Sequence, residues 1–320
     1  MTSGARATGS ARTWREWPRG NASHAIERGQ PHRLAGVAWH ESGELRPVSL
    51  AWRDEPCGAR REVLAPPRVR QAPSASPRTR PSLPSLAPVT LRPRSAWGTL
   101  PWSPTTYGRS VLGLPLEVWR PTGRCDLLVF AAIHGEEPET TWALSRALRQ
   151  LGDPPAHAAV VLAANPDGLV RGTRANANGV DLNRNFPTST WRAAPVTSRA
   201  TIDLPSDVLL SPGTHAGSEP ETQALLGLIA ELQPDAVIAL HAPLACIDDA
   251  NGSALGERLA DRTGMPFVRD VGYPTPGSFG TWGLEHGVPV ITYEFPVIAN
   301  EDLMRLHVPV LVELLTGTLP

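Results

Sequence analysis

From about residue 104 onward, short and wholly apolar runs of strand length alternate with segments whose apolar positions recur at helical spacing. "RCDLLVFAAIHG", "HAAVVLAANPDG", "DAVIALH" and "VPVITYEFP" are the runs. "ETTWALSRALRQLG", "SEPETQALLGLIAELQP", "SALGERLADRTG" and "NEDLMRLHVPVLVELLTG" are the helical segments, the last with Pro309 as a candidate kink. A run apolar on both faces is the mark of a strand buried between two layers. The alternation therefore predicts an α/β fold with a mainly parallel central sheet flanked by helices. In open sheets of that kind, ligands bind beyond the C-terminal ends of the strands, so the polar residues at those ends are the candidate site.

The preceding part of the chain has a different texture. Residues 1–95 hold 16 Arg against 7 Asp and Glu, whereas residues 96–320 hold 14 against 24. "RVRQAPSASPRTRPSLPSLAP" shows neither helical nor strand periodicity, and such a segment cannot bury enough apolar surface to offset its ordering entropy. We expect residues 1–103 to form a disordered extension and residues 104–320 the catalytic domain. The acid-poor start resembles an organellar transit peptide, and a basic arm could contact nucleic acid. An inert extension, or a start assigned too far upstream, is the simpler expectation. No run reaches the roughly 20 apolar residues of a membrane span and the start lacks a signal-peptide core, so a cytoplasmic address is expected. Cys57, Cys125 and Cys246 are an odd number without paired spacing, which predicts reduced structural thiols.

Three strand ends carry groups suited to catalysis. His134 and Glu137 stand three residues apart in "IHGEE", a spacing that lets both converge at a strand-to-helix turn. His241 follows the apolar run "AVIAL". Two His and one Glu match the three-ligand, one-open-position pattern of catalytic zinc, although HxxE alone is weak evidence and a single His is more often a packed residue. Glu294 in "ITYEFP" is either a paired structural acid or a general base.

The tetrapeptide "EPET" occurs twice, at 137–140 and 219–222, and acts as an internal control. In the second copy Ser218 and Glu221 form a capping-box pattern with Pro220 in the first turn, which accounts for that copy as a helix start. In the first, capping does not account for His134 three residues ahead of Glu137. Between the strand ends lies "RANANGVDLNRNFP", residues 174–187, in which Asn176, Asn178, Gly179 and Asp181 have the chemistry of a turn.

"HGEE", "NPDG", "GVDLNRNFP", "LHAPLA", "GYPTPGSFGTW" and "TYEFP", in this order, resemble the zinc carboxypeptidases of the M14 type. The likeness is greatest to the murein peptide amidase A branch, whose members cut the bond between γ-D-glutamate and meso-diaminopimelate. The resemblance covers about residues 104–318 and implies a mixed sheet of carboxypeptidase type. It implies His134, Glu137 and His241 as ligands of one zinc ion and Glu294 as general base and acid. It also implies Arg174, with Arg171 as rival, as the oxyanion-stabilising arginine. Asn183 and Arg184 would bind a substrate carboxylate, Tyr273 would belong to the lid loop, and Phe279 and Gly280 would lie near the side-chain pocket. A family arginine of the HxxE turn is replaced by Glu136, which argues against simple C-terminal carboxypeptidase specificity.

The resemblance thus implies a zinc metallopeptidase or amidase acting on a small murein peptide such as L-Ala-γ-D-Glu-meso-diaminopimelate. No nucleic-acid or membrane partner is expected, and a homodimer stays open. Two other readings are an N-acyl amino acid deacylase of the aspartoacylase or succinylglutamate desuccinylase type, and a peptidoglycan-peptide binder without catalysis.

Overall fold

The computed structural model describes residues 36–39, 45–48, 90–199 and 207–319, in two units that divide between Thr79 and Arg80. In the first unit β1 (Gly36–Trp39) and β2 (Leu45–Val48) pair antiparallel. The rest of residues 1–89 lies outside the described residues. The expectations placed there fall outside with it: the transit-like start, the disorder of the extension and the state of Cys57.

The second unit is built on a six-stranded sheet. Its strands are β5 (Leu127–Phe130), β6 (Ala158–Val161), β9 (Ala236–His241), β10 (Ile247–Asp248), β11 (Phe267–Val268) and β12 (Val290–Glu294), in the spatial order β11-β10-β12-β9-β5-β6. The four apolar runs form the parallel strands β12, β9, β5 and β6. β10 runs antiparallel to β12 and parallel to β11, which makes the sheet mixed. Both extra strands are too short for a periodicity signal.

Successive strand residues point to opposite faces, and two separate cores result. On one face Leu127, Val129, Ile238, Leu240, Ile291 and Tyr293 pack against α1 (Pro138–Leu148), α4 (Ala254–Thr263) and α6 (Asn300–Thr316). On the other, Leu128, Phe130, Val237, Ala239 and Val290 pack against α3 (Pro220–Leu232) and α5 (Phe279–His286). Each fully buried large apolar side chain contributes about 1.5–3 kcal/mol. α6 continues through Pro309 to Thr316. No helix among the described residues is long and apolar enough to cross a membrane. Cys125 and Cys246 are buried free thiols, as expected.

The packed unit begins before residue 104. Leu91 bridges to Leu151, Arg92 donates to the Arg149 carbonyl at 3.2 Å, and Trp119 Nε1 donates to the Trp102 carbonyl at 3.0 Å. Leu100 and Trp102 pack against the first core. The proline-rich composition conceals this edge, because its contacts are backbone and aromatic rather than periodic. Ahead of β5 a hairpin of β3 (Thr105–Arg109) and β4 (Pro115–Val118) lies on α3. A second hairpin, β7 (Val196–Arg199) and β8 (Asp207–Leu210), follows the 174–187 stretch.

Candidate metal centre and active site

β5 ends at Phe130, and the next residues keep hydrogen-bonding to the β6 side: Ala164 N donates to Ala131 O, and Asn165 N to Ala132 O, both at 2.9 Å. Ala132 then takes a positive φ of 49°, a conformation that is unfavourable for an alanine and turns the chain toward α1. His134 and Glu137 sit in this turn. A Cβ on Gly135 would come within 2.0 Å of the Gly168 backbone, so only glycine lets the turn lie against α2 (Pro166–Arg171). Asn165 accepts from Gly168 N at 2.9 Å and donates from Nδ2 to Ile133 O at 3.2 Å. Its second Nδ2 contact, to Arg174 O, is 3.4 Å.

His241 is the last residue of β9, and Glu294, the last of β12, lies opposite it in parallel register. The side chains of His134, Glu137 and His241 are all buried. His134 Nδ1 is 2.7 Å from Glu137 Oε1 and 3.2 Å from His241 Nδ1, and His241 Nδ1 is 3.2 Å from Glu137 Oε2. One ligand atom from each residue lies within 4.8 Å of the others. Ligand atoms about 2.1 Å from a tetrahedral zinc stand roughly 3.4 Å apart, so donor type and spacing both fit that ion. Two imidazole nitrogens facing each other at this distance need a shared cation or proton. Burial opposes ionisation of Glu137, but the two imidazoles hold its carboxyl well below the usual range.

Asp181 supports this group from behind. Its Oδ1 lies 3.2 Å from His134 Nε2 and accepts the Asn183 N–H at 2.9 Å, while Oδ2 accepts from Arg174 Nε at 2.9 Å. A carboxylate on the far nitrogen of a metal-binding histidine fixes its tautomer and orientation. Although buried, Asp181 is held ionised by Arg174 and His134. Arg174 Nη1 reaches Glu136 at 3.4 Å and Glu137 at 3.7 Å.

The rest of residues 174–187 is a brace. Asn176 Oδ1 accepts the Asn178 and Val180 N–H groups, and Gly179 has a φ of 74°, the turn chemistry expected. Asn176 Nδ2 then donates to Glu219 at 2.8 Å and Glu221 at 3.0 Å, Asn178 Nδ2 to Glu219 at 2.8 Å, and Asn185 Nδ2 to Pro212 O at 2.8 Å. Asn183 Oδ1 accepts the Phe279 N–H at 2.8 Å.

Glu294 is 7 % exposed and accepts the Leu244 N–H at 3.3 Å. Burial, with Glu137 adding, pushes its carboxyl up, which makes it a stronger base than a solvated glutamate. Arg184 is half-buried, donates to the Asn183 carbonyl at 2.7 Å, and has Tyr273 in its electrostatic surroundings.

A buried His, Glu, His set beside a buried carboxylate and two arginines is the arrangement of a metal-dependent hydrolase, and comparison with known proteins decides the family. The model of the zinc carboxypeptidase family matches residues 103–245. Murein peptide amidase A of Escherichia coli K12 is 45% identical over 228 residues, 70% of this chain and 94% of that protein. Its counterpart from Vibrio campbellii is 40% identical over 230 residues, covering 71% and 93%. The chain belongs to the zinc carboxypeptidase family. The crystal structure of the murein-tripeptide amidase MpaA from Escherichia coli O157 superposes with a TM-score of 0.67 at 43% identity, covering 70% of this chain and 96% of that one. Carboxypeptidase A from Helicoverpa armigera shares the fold, with a TM-score of 0.51 at 19% identity over 66% of this chain and 65% of that one. The mixed carboxypeptidase-type sheet and the zinc-dependent hydrolytic chemistry expected from the sequence are thereby borne out.

Within this zinc carboxypeptidase the sequence-predicted residues divide. His134, Glu137, His241, Glu294 and Arg174 come together, with Asn183 and Arg184 beside them. Arg171 does not: it is exposed at the end of α2 and donates back to the Asp167 carbonyl at 3.0 Å. Tyr273 is 48% exposed on the loop before α5, with Glu294 and Arg184 in its electrostatic surroundings. Phe279 is buried. Its ring is in the second core against Phe130, Phe186 and Trp282, because Ser278 caps α5 and turns the next residue inward. Gly280, one position on, adjoins open space. The capping box at Ser218 is also corrected. Glu219 is the N-cap residue without a side-chain cap bond, since Ser218 donates to Glu219 and Glu221 accepts from Asn176 and Val111. Asp181 and Asn165 are the supporting residues that sequence reading missed. "NPDG", an Asn before a first-turn Pro, is a helix-start signal that would have found the second.

Proposed function

We propose that this chain is a zinc-dependent murein peptide amidase that cleaves the γ-D-glutamyl–meso-diaminopimelate bond, in recycling of cell-wall peptides in the cytoplasm. The observation that carries the reading is the buried His134, Glu137, His241 group beside Glu294 in a chain alike to murein peptide amidase A over 70% of its own length and 94% of that protein's. His134, Glu137 and His241 would hold the zinc. The ion, when bound, supplies a water of lowered pKa and polarises the scissile carbonyl.

Glu294 takes the proton of the attacking water and delivers it to the departing nitrogen; its raised basicity and its position opposite His241 support that role. Arg174, kept charged by Asp181 and Glu137 despite burial, faces the charge that develops on the carbonyl oxygen. Arg184 offers a planar fork to a substrate carboxylate, and the Asn183 amide sets its register. The substrate is a short peptide such as L-Ala-γ-D-Glu-meso-diaminopimelate.

Incubating the purified protein with that tripeptide and identifying products by mass tests the reading. Free diaminopimelate should appear with zinc and vanish with a chelator, and Glu294→Gln should lower kcat about 100- to 10,000-fold. Hydrolysis of N-acetyl-aspartate without release of diaminopimelate would assign the chain to the deacylases instead. Binding of the tripeptide without turnover would assign it to non-catalytic binders.

A further inference from the structure

β12 carries Thr292 two residues before Glu294, so both side chains leave the sheet on the same face. The antiparallel register pairs Asp248 of β10 with Thr292, and the parallel register pairs Thr292 with Ala239 and Glu294 with His241. Directly opposed residues share a face, so Asp248, Thr292, Glu294 and His241 all project toward the site. The neighbouring pair, Ile247 and Tyr293, provides a check, since both are buried in the core of the opposite face. Asp248 stands about 5 Å across from Thr292, which stands about 7 Å along the strand from Glu294.

On this face Val237, Ala239, Val290, His241 and Glu294 are buried, whereas Thr292 and Asp248 are half-buried. Solvent therefore reaches the latter two, while Val290, farther from Glu294 on the same face, is buried in the core with Phe279 and Trp282. Adjacent Asp249 differs sharply from Asp248. Asp249 is fully buried, and its oxygens accept from Asn251 N, Ser253 N and Ser253 Oγ at 2.6–3.0 Å. Among the described residues no hydrogen bond or cation holds the Asp248 carboxylate. The charged groups around it include Glu294, Asp249 and Asp270, with His241 on the basic side. Burial, and Glu294 after it, push the Asp248 carboxyl up to about 6. A half-buried carboxylate among like charges is a site for a cationic group.

We infer that Asp248, with Thr292 beside it, forms the floor of the pocket for the residue on the leaving side of the scissile bond and selects an ammonium group on that residue's side chain. The inference rests on the amidase reading, in which Arg184 and Asn183 take a carboxylate of the same residue. It makes Asp248 a specificity residue outside the zinc and proton-transfer groups.

The test compares two tripeptides, L-Ala-γ-D-Glu-meso-diaminopimelate and its 2-aminopimelate analogue, which keeps the distal carboxylate and lacks the distal ammonium. Wild type should favour the first in kcat/KM by about 10- to 100-fold, the worth of one charge-assisted contact. Asp248→Asn should collapse that ratio toward 1, with the loss on the diaminopimelyl peptide. Zinc content and turnover of the analogue report on folding of the variant. A variant that keeps the wild-type ratio, or loses both substrates equally, overturns the role of Asp248. A wild type that cleaves neither peptide overturns the amidase reading and the inference with it.

Discussion

Asp181 meets Arg174 through one oxygen and His134 through the other, so one side chain orients both the proposed metal ligand and the proposed oxyanion group. Asp181→Ala should weaken zinc binding about 10- to 100-fold, measured by competition with a chelating indicator, and should lower kcat as well through a misdirected Arg174. Unaltered zinc affinity would reduce Asp181 to a turn residue. Arg174 itself separates from its sequence rival by position. Arg174→Ala should lower kcat about 100- to 1000-fold, while the exposed Arg171→Ala should stay within about twofold; the reverse order in steady-state kinetics would exchange the roles. The proposed ligands were legible as a set, because two His and one Glu at strand ends match a catalytic zinc pattern that none of them signals alone. Asp181 was not, because an aspartate that makes a turn and one that braces a histidine look alike in "NGVDLN".

The turn between β5 and α1 is where an element-level constraint serves the site. Ala132 holds a positive φ, Gly135 lies against the α2 backbone, and Thr140 donates to the Glu137 carbonyl at 2.7 Å. A Cβ at residue 135 has only rigid backbone to displace. Gly135→Ala should therefore cost about 1–3 kcal/mol in denaturant unfolding and lower zinc occupancy, since His134 precedes it; full stability and full zinc together would refute the packing argument. Elements were legible where periodicity was strong, as in β5, β6, β9 and β12. α5 was hidden because "PTPGSFGTW" has turn composition, although Ser278 at its N-cap is a start signal. The two copies of "EPET" begin helices in the same way, and in neither does the N-cap glutamate cap its helix. One carboxylate goes to histidines and the other to asparagines, a difference supplied by what each helix end faces.

Stability of the whole molecule should carry an acid-sensitive component from His307. It lies on α6, is buried against Phe295, and accepts the Tyr293 hydroxyl at 2.7 Å. Burial depresses its pKa to about 4, below the ordinary value of about 6.5. The unfolded chain therefore binds the extra proton first as pH falls. The stabilisation is complete above about pH 6.5 and is lost as pH falls toward 4, with about 2 kcal/mol gone at pH 5. Urea unfolding at pH 7.5 and pH 5 should show that loss, and His307→Phe should remove most of it. Equal losses in both proteins would place the acid sensitivity elsewhere.

The layer class, the four parallel strands and the residue types at their C-terminal ends follow from local sequence alone. Those features depend on local patterning: an all-apolar run has few alternatives to a buried strand, and a polar group closing it must be paired or used. Local sequence also determined that Asn176 and Gly179 turn the chain, since that conformation is set by their own side chain and φ. Long-range contacts brought Arg174, and not Arg171, to Glu137 and Asp181, sent Phe279 into the core, joined Asp181 to His134 and set Asp248 beside Thr292. Each of these depends on register or packing between segments far apart in the chain. Such partners are chosen by which face of which element meets which neighbour, a choice that no local pattern encodes.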